Sequence, residues 1–93
     1  MMIISEKIVK AYAEEIKRIV TDKHFNNDYR EVLEVCLYLS NNWTSPNDMS
    51  ALLWDLIDSA SILVGHPTFG TDKSNMLETL DCIINHKEVD LKG

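Results

Sequence analysis

The longest coherent hydrophobic pattern in the chain runs through residues 45–64, S-P-N-D-M-S-A-L-L-W-D-L-I-D-S-A-S-I-L-V. With residues stepped about 100° apart around a helix axis, Met49, Leu52, Leu53, Leu56, Ile57, Ala60, Leu63 and Val64 fill one arc of roughly 140°. Asp48, Asp55 and Asp58 fall on the other side, with Ala51, Ser59 and Ile62 among them, and Trp54 stands at the edge. The pattern predicts a helix over 46–64 with an apolar core face and an acidic outer face. Ser45 is the expected N-cap, Pro46 suits the first helical position, and Asp48 completes the capping-box spacing at the positive end of the helix dipole. Gly65 is expected to close the helix in a left-handed conformation, with Pro67 blocking its continuation.

Three further segments carry helical periodicity. Residues 5–24 place Ile4, Ile8, Tyr12, Ile16, Ile19 and Val20 at helical spacing, which predicts the core stripe of a first helix. Glu6 with Lys10 and Glu14 with Arg18 are spaced for ion pairs on its surface. Phe25 is expected to tuck back onto the core. Asp28 and Glu31 then have the spacing of a capping box for a second helix over 28–40. That helix is apolar on nearly every side, so it is central in a bundle or packs on a second copy. The run V-L-E-V-C-L-Y-L could form a strand, but its capped start and its length favour a helix. Thr71 or Asp72 caps a fourth helix over 72–86 with Met76, Leu77, Leu80, Ile83 and Ile84 as its stripe, and His86 and Lys87 suit its last turn. Residues 89–93 read as a frayed tail. Four amphipathic helices on short connections predict one all-α domain over 1–93, a compact antiparallel four-helix bundle in which consecutive helices are neighbours.

Composition narrows the function classes. The chain has 93 residues, 45% hydrophobic, with 15 acidic against 9 basic residues and a net charge of −6. This balance disfavours nucleic acid and anionic membranes as partners, since both are held by Lys and Arg. It suits a cationic protein partner. No charged stretch followed by an apolar one opens the chain, and no apolar run approaches a membrane span, so a cytoplasmic location is expected. Cys36 and Cys82 lie on apolar helical positions and read as buried free thiols.

Catalytic chemistry finds little support. His24, His66 and His86 have no metal-ligand spacing with each other, with cysteine or with acids, so neither a metal nor a cofactor is expected. A thiol on an apolar stripe, such as Cys36 or Cys82, is inert unless something activates it. The two glycines flanking H-P-T-F lack the spacing and the lysine of a phosphate loop. A helix-turn-helix reading fails because the exposed faces carry acids where base-reading residues should stand. The chain is therefore read as a binding protein and not as an enzyme, with Asp48, Trp54, Asp55 and Asp58 as its candidate partner-binding residues. Tyr38, Trp43 and Phe69 either extend that patch or belong to the core.

The segment H-P-T-F-G-T-D at 66–72 resembles the His-Pro-x-Gly-Ser/Thr-Asp segment of the immunity proteins for DNase colicins and pyocins. An additional residue separates Pro67 from Gly70, and Lys73, Ser74 and Asn75 stand where that family has its toxin-binding tyrosines, so no binding residue is carried over. The chain is also broadly similar in size, charge and helix pattern to small helical immunity proteins of contact-dependent inhibition systems and of Gram-positive bacteriocins. The resemblance implies an immunity or antitoxin protein of bacterial type that occludes a basic toxin domain, a nuclease. The alternatives are a homodimeric helical adaptor or regulatory subunit, joined through the apolar helix at 29–39, and a phage-type acidic inhibitor whose carboxylates stand in for phosphates.

Overall fold

A computed structural model describes residues 4–45 and 47–87. It contains four helices: α1 (Glu6–Thr21), α2 (Arg30–Asn41), α3 (Asp48–Gly65) and α4 (Gly70–Ile84). These make an all-α four-helix bundle, as the periodicity predicts. The expected tail at 89–93 and the expected role of Pro46 lie outside the described residues.

Local chemistry sets each boundary, and several differ from expectation. Ser5 caps α1, its hydroxyl accepting from the Ile8 amide at 3.3 Å. The helix ends at Thr21 and does not reach His24. The Asp22 carboxylate accepts from the His24 amide at 2.7 Å, a local turn that competes with another helical step. The expected pairing of Glu14 with Arg18 is replaced by Glu15, which Arg18 Nε meets at 3.2 Å. Asp28 and Glu31 form no capping box. Tyr29 occupies the N-cap position without a side-chain bond, and Asp28 instead accepts from both the amide and the guanidinium of Arg30.

Asn47, not Ser45, caps α3, its side-chain oxygen accepting from the Met49 amide at 3.1 Å. Ser45 contributes its carbonyl, which accepts from the Ser50 hydroxyl at 2.8 Å. Gly65 is the last helical residue and is not left-handed; among the described residues only Asn27 has a positive φ, 61°. The His66 amide still reaches the Ile62 carbonyl at 2.8 Å, so His66 is the C-cap, and Gly65, the last helical residue, stands two before Pro67. α4 begins at Gly70, two residues ahead of the expected start at 72. Phe69 takes the N-cap position with no side-chain bond, and its ring stacks on His66 at 4.7 Å between centroids. α4 also ends early, at Ile84, and the side chain of its C-cap, Asn85, donates back to the Asp81 carbonyl at 2.8 Å. His86 and Lys87 therefore lie beyond the helix.

Going around the bundle, α2 packs on α3, α3 on α4, and α4 on α1, while α1 and α2 scarcely touch. Consecutive order has thus not made α1 and α2 close neighbours. The two run antiparallel, tied at one end by the Ile4 amide donating to the Asn42 carbonyl at 3.4 Å. At the other end Phe25 and Tyr29 meet edge to face at 5.1 Å. α1 and α4 are also antiparallel: Glu6 bonds His86, and Lys17 Nζ meets Asp81 at 2.5 Å. The Glu6 and His86 side chains are each only 14% exposed, and Lys10 adds a bond to the His86 carbonyl and lies 4.0 Å from Glu6.

The core of α3 follows the predicted arc closely. Met49, Leu53, Leu56, Ile57, Ala60 and Leu63 are buried, joined by Ser59. Leu52 is half-buried, and Val64, at the last turn, is exposed. α4 contributes Met76, Leu80 and Ile83, and α2 contributes Val32, Cys36 and Leu39. Phe25 and Trp43 pack against this core from the loops. α1 corrects the expected stripe. Its buried residues are Val9, Ala13, Ile16 and Val20, whereas Ile8, Tyr12 and Ile19 are exposed. At about 100° per residue those three lie on one flank of the buried row, the flank turned toward α2. No helix among the described residues is long and apolar enough to cross a membrane.

Candidate functional site

The packing of α3 on α4 leaves a groove of about 450 Å³ along their outer edge. α3 lines it with Leu52, Asp55, Asp58, Ser59 and Ile62, and α4 with Asp72, Asn75, Glu78, Thr79 and Cys82. The α3 residues fall at spacings of three and four, which is one flank of a helix. On α4, positions 72, 75, 79 and 82 do the same, beside the buried row of Met76, Leu80 and Ile83.

The groove holds four carboxylates, Asp55, Asp58, Asp72 and Glu78, and among the described residues no Lys, Arg or His lines it. Ion pairs elsewhere among the described residues engage Glu6, Glu15, Asp28 and Asp81, and none engages these four. Four like charges on two facing helices create a negative potential that no ion pair among the described residues offsets. Ile62 and Leu52 supply apolar surface beside them. The arrangement can hold the alkyl stems and cationic heads of Lys or Arg side chains presented by a partner.

Two of the four expected contact residues come together here, and two do not. Asp55 and Asp58 line the groove. Asp48 sits in the first turn of α3, exposed, where it complements the helix dipole. Trp54 is 61% exposed but lies about 100° around the helix from Asp55, outside the groove. Tyr38 and Phe69 are exposed on other elements, and Trp43 is packed against the core. Asp72 and Glu78 were not among the expected site residues. Asp72 reads from sequence as a cap, and only the polar row at 72, 75, 79 and 82 hints that this flank of α4 faces a partner helix across solvent.

The thiols also separate. Cys36 is buried, and desolvation pushes its thiol up to about 12. Cys82, expected to be buried, is exposed on the wall of the acidic groove. Both are free. Among the described residues no three metal-ligating side chains come together. Compared with known protein families, with curated proteins and with solved structures, the chain finds no match.

Proposed function

We propose that this chain is an inhibitory binding protein of the immunity or antitoxin kind, which neutralises a cationic toxin domain, a nuclease, by covering its substrate surface. The observation that carries the reading is the α3–α4 groove with four carboxylates and no lining cation. A nuclease holds its substrate with Lys and Arg directed at phosphates. Carboxylates spaced along two helices offer those same cations an alternative partner, and the bulk of the bundle then blocks access. Phage-type mimicry of nucleic acid would use the groove in the same way. The net charge of −6 adds long-range steering.

The test is a panel of purified basic nuclease-toxin domains assayed on a fluorogenic DNA or RNA. Stoichiometric inhibition of at least one domain is expected. Asp55→Lys with Asp58→Lys should slow association with it by at least about tenfold at low salt, and much less at high salt. An association rate that the double variant leaves unchanged removes the groove from the interface.

A further inference from the structure

Another opening in the bundle lies between α1 and α2, and apolar side chains make up more of its lining. Its deepest part is a cavity of about 310 Å³ lined by Ile16, Ile19, Phe25, Val32 and Val35, with Asn26, Asp28 and Glu31 at the lip. Toward the other end, Tyr12 and Tyr38 lean together across the gap with ring centroids 6.2 Å apart. Ile8, Tyr12, Ile19 and Tyr38 are all exposed, so an apolar strip continues out of the cavity along both helices. From position 8 to position 19 the strip on α1 spans about 16 Å, three turns of a facing helix. Strips of this kind on a soluble protein mark interaction surfaces.

We propose that this groove docks an amphipathic helix from a protein partner, with a large apolar side chain seated in the cavity and Lys or Arg residues flanking it. The backbone groups of both walls are already committed within α1 and α2, so there is no free edge for an added strand, and recognition must come from side chains. The cavity volume suits one Leu, Phe or Trp. Charge selects the sign of the flanks. Among the described residues the ionised groups lining the lip are two carboxylates, Asp28 and Glu31. The nearby cations are already engaged, Arg18 by Glu15, Arg30 by Asp28, and the Lys73 ammonium over the Phe25 ring at 5.6 Å. Glu31 remains outside these pairs, and Glu34, three residues on, lies on the same flank of α2. A second copy of the chain would bring its own net charge of −6 against this lip, and an anionic helix would meet the same repulsion. The proposal is independent of the acidic groove on the far side of the bundle.

An 18-residue Leu/Lys amphipathic peptide, with Leu along one helical face, is the probe, and its Leu/Glu counterpart is the control. Titrated into the isotopically labelled chain, the Leu/Lys peptide should shift amides of residues 8–19 and 31–38, and the Leu/Glu peptide should bind at least about tenfold more weakly. Ile19→Ser should cost the Leu/Lys peptide about tenfold in affinity, and Glu31→Gln should flatten its salt dependence. Leu37→Ser, an exposed leucine on the opposite flank of α2, should leave its affinity within about twofold. Equal binding of the two peptides overturns the proposal. So does binding that Ile19→Ser spares and Asp55→Asn with Asp58→Asn abolishes, because the peptide then sits in the acidic groove. Sedimentation supplies a separate arm: a dimer that Ile19→Ser converts to monomer assigns the strip to a second copy and overturns it as well.

Discussion

The bundle presents two grooves of different chemistry. The α3–α4 groove is walled by carboxylates that no cation of the described chain neutralises. The α1–α2 groove is lined by isoleucine, valine and Phe25, and of the two carboxylates at its lip Asp28 is paired with Arg30 while Glu31 is in no ion pair among the described residues. The difference has a packing origin. α3 and α4 meet through a full apolar arc, so the residues left over at their junction are the polar flanks. α1 and α2 each direct one apolar row into the centre and keep a second row that finds too little partner surface. One groove therefore attracts from a distance through its field, whereas the other contributes only when water is expelled from it. Sites of these two kinds respond to different perturbations, and that difference can be measured.

The largest expected difference is in thiol reactivity. At pH 8 a thiol pushed up to about 12 holds on the order of one part in ten thousand as thiolate, and the Cys36 side chain is also fully buried. Cys82 is exposed on the wall of the acidic groove. A maleimide reagent should therefore modify Cys82 at least about a thousandfold faster than Cys36 in the folded chain. The bulky adduct should obstruct a toxin seated against α3 and α4, and leave the Leu/Lys peptide on α1 and α2 undisturbed. Mass spectrometry gives the rates. Comparable labelling of both cysteines would mean that the core around Cys36 opens readily.

Next in size is a comparison within one helix. Ile16 is 3% exposed and Ile19 is 38% exposed. Ile16→Ala should cost about 2–5 kcal/mol in unfolding free energy, and Ile19→Ala well under about 1 kcal/mol. Denaturant melts of the two variants decide it. Equal costs would return Ile19 to the core and close the α1–α2 groove.

This pair also shows where the sequence could be read and where it could not. Residues 48–65 have one apolar arc and one acidic arc, and a single periodicity argument recovers nearly the whole buried face of α3. α1 has two apolar rows side by side. Ile8, Tyr12 and Ile19 have larger side chains than Val9 and Ala13, so the row with the larger side chains reads as core, and yet Val9 and Ala13 are buried and those three are exposed. Small residues let the helices approach closely, which hydrophobicity alone does not register. Caps were misread for a related reason. Ser45 and Asn47 are both good caps, and the choice depends on where the chain turns, which the residues alone leave open. The acidic groove was half legible. Asp55 and Asp58 could be assigned to an exposed face, but Asp72 and Glu78 join them only because α4 packs beside that face.

The smallest predicted effect is on the stability of the acidic groove itself. A groove kept for binding should be slightly unfavourable to the free chain, because Asp55 and Asp58 are like charges three apart on α3 and face Asp72 and Glu78 from α4. Asp55→Asn with Asp58→Asn should therefore stabilise the free protein by a few tenths of a kcal/mol at low salt, with the gain fading as salt screens the repulsion. The same double substitution should weaken toxin binding, so stability and binding move in opposite directions. Glu31→Gln, at the lip of the apolar groove, removes both the repulsion from Glu34 and the favourable place of Glu31 in the first turn of α2, so its net effect on stability should be close to zero. Thermal melts of the two variants across a salt series make the comparison. A loss of stability in the double asparagine variant would show that these aspartates hold the fold together, and the acidic groove would then be a structural feature with no surplus charge to offer a partner.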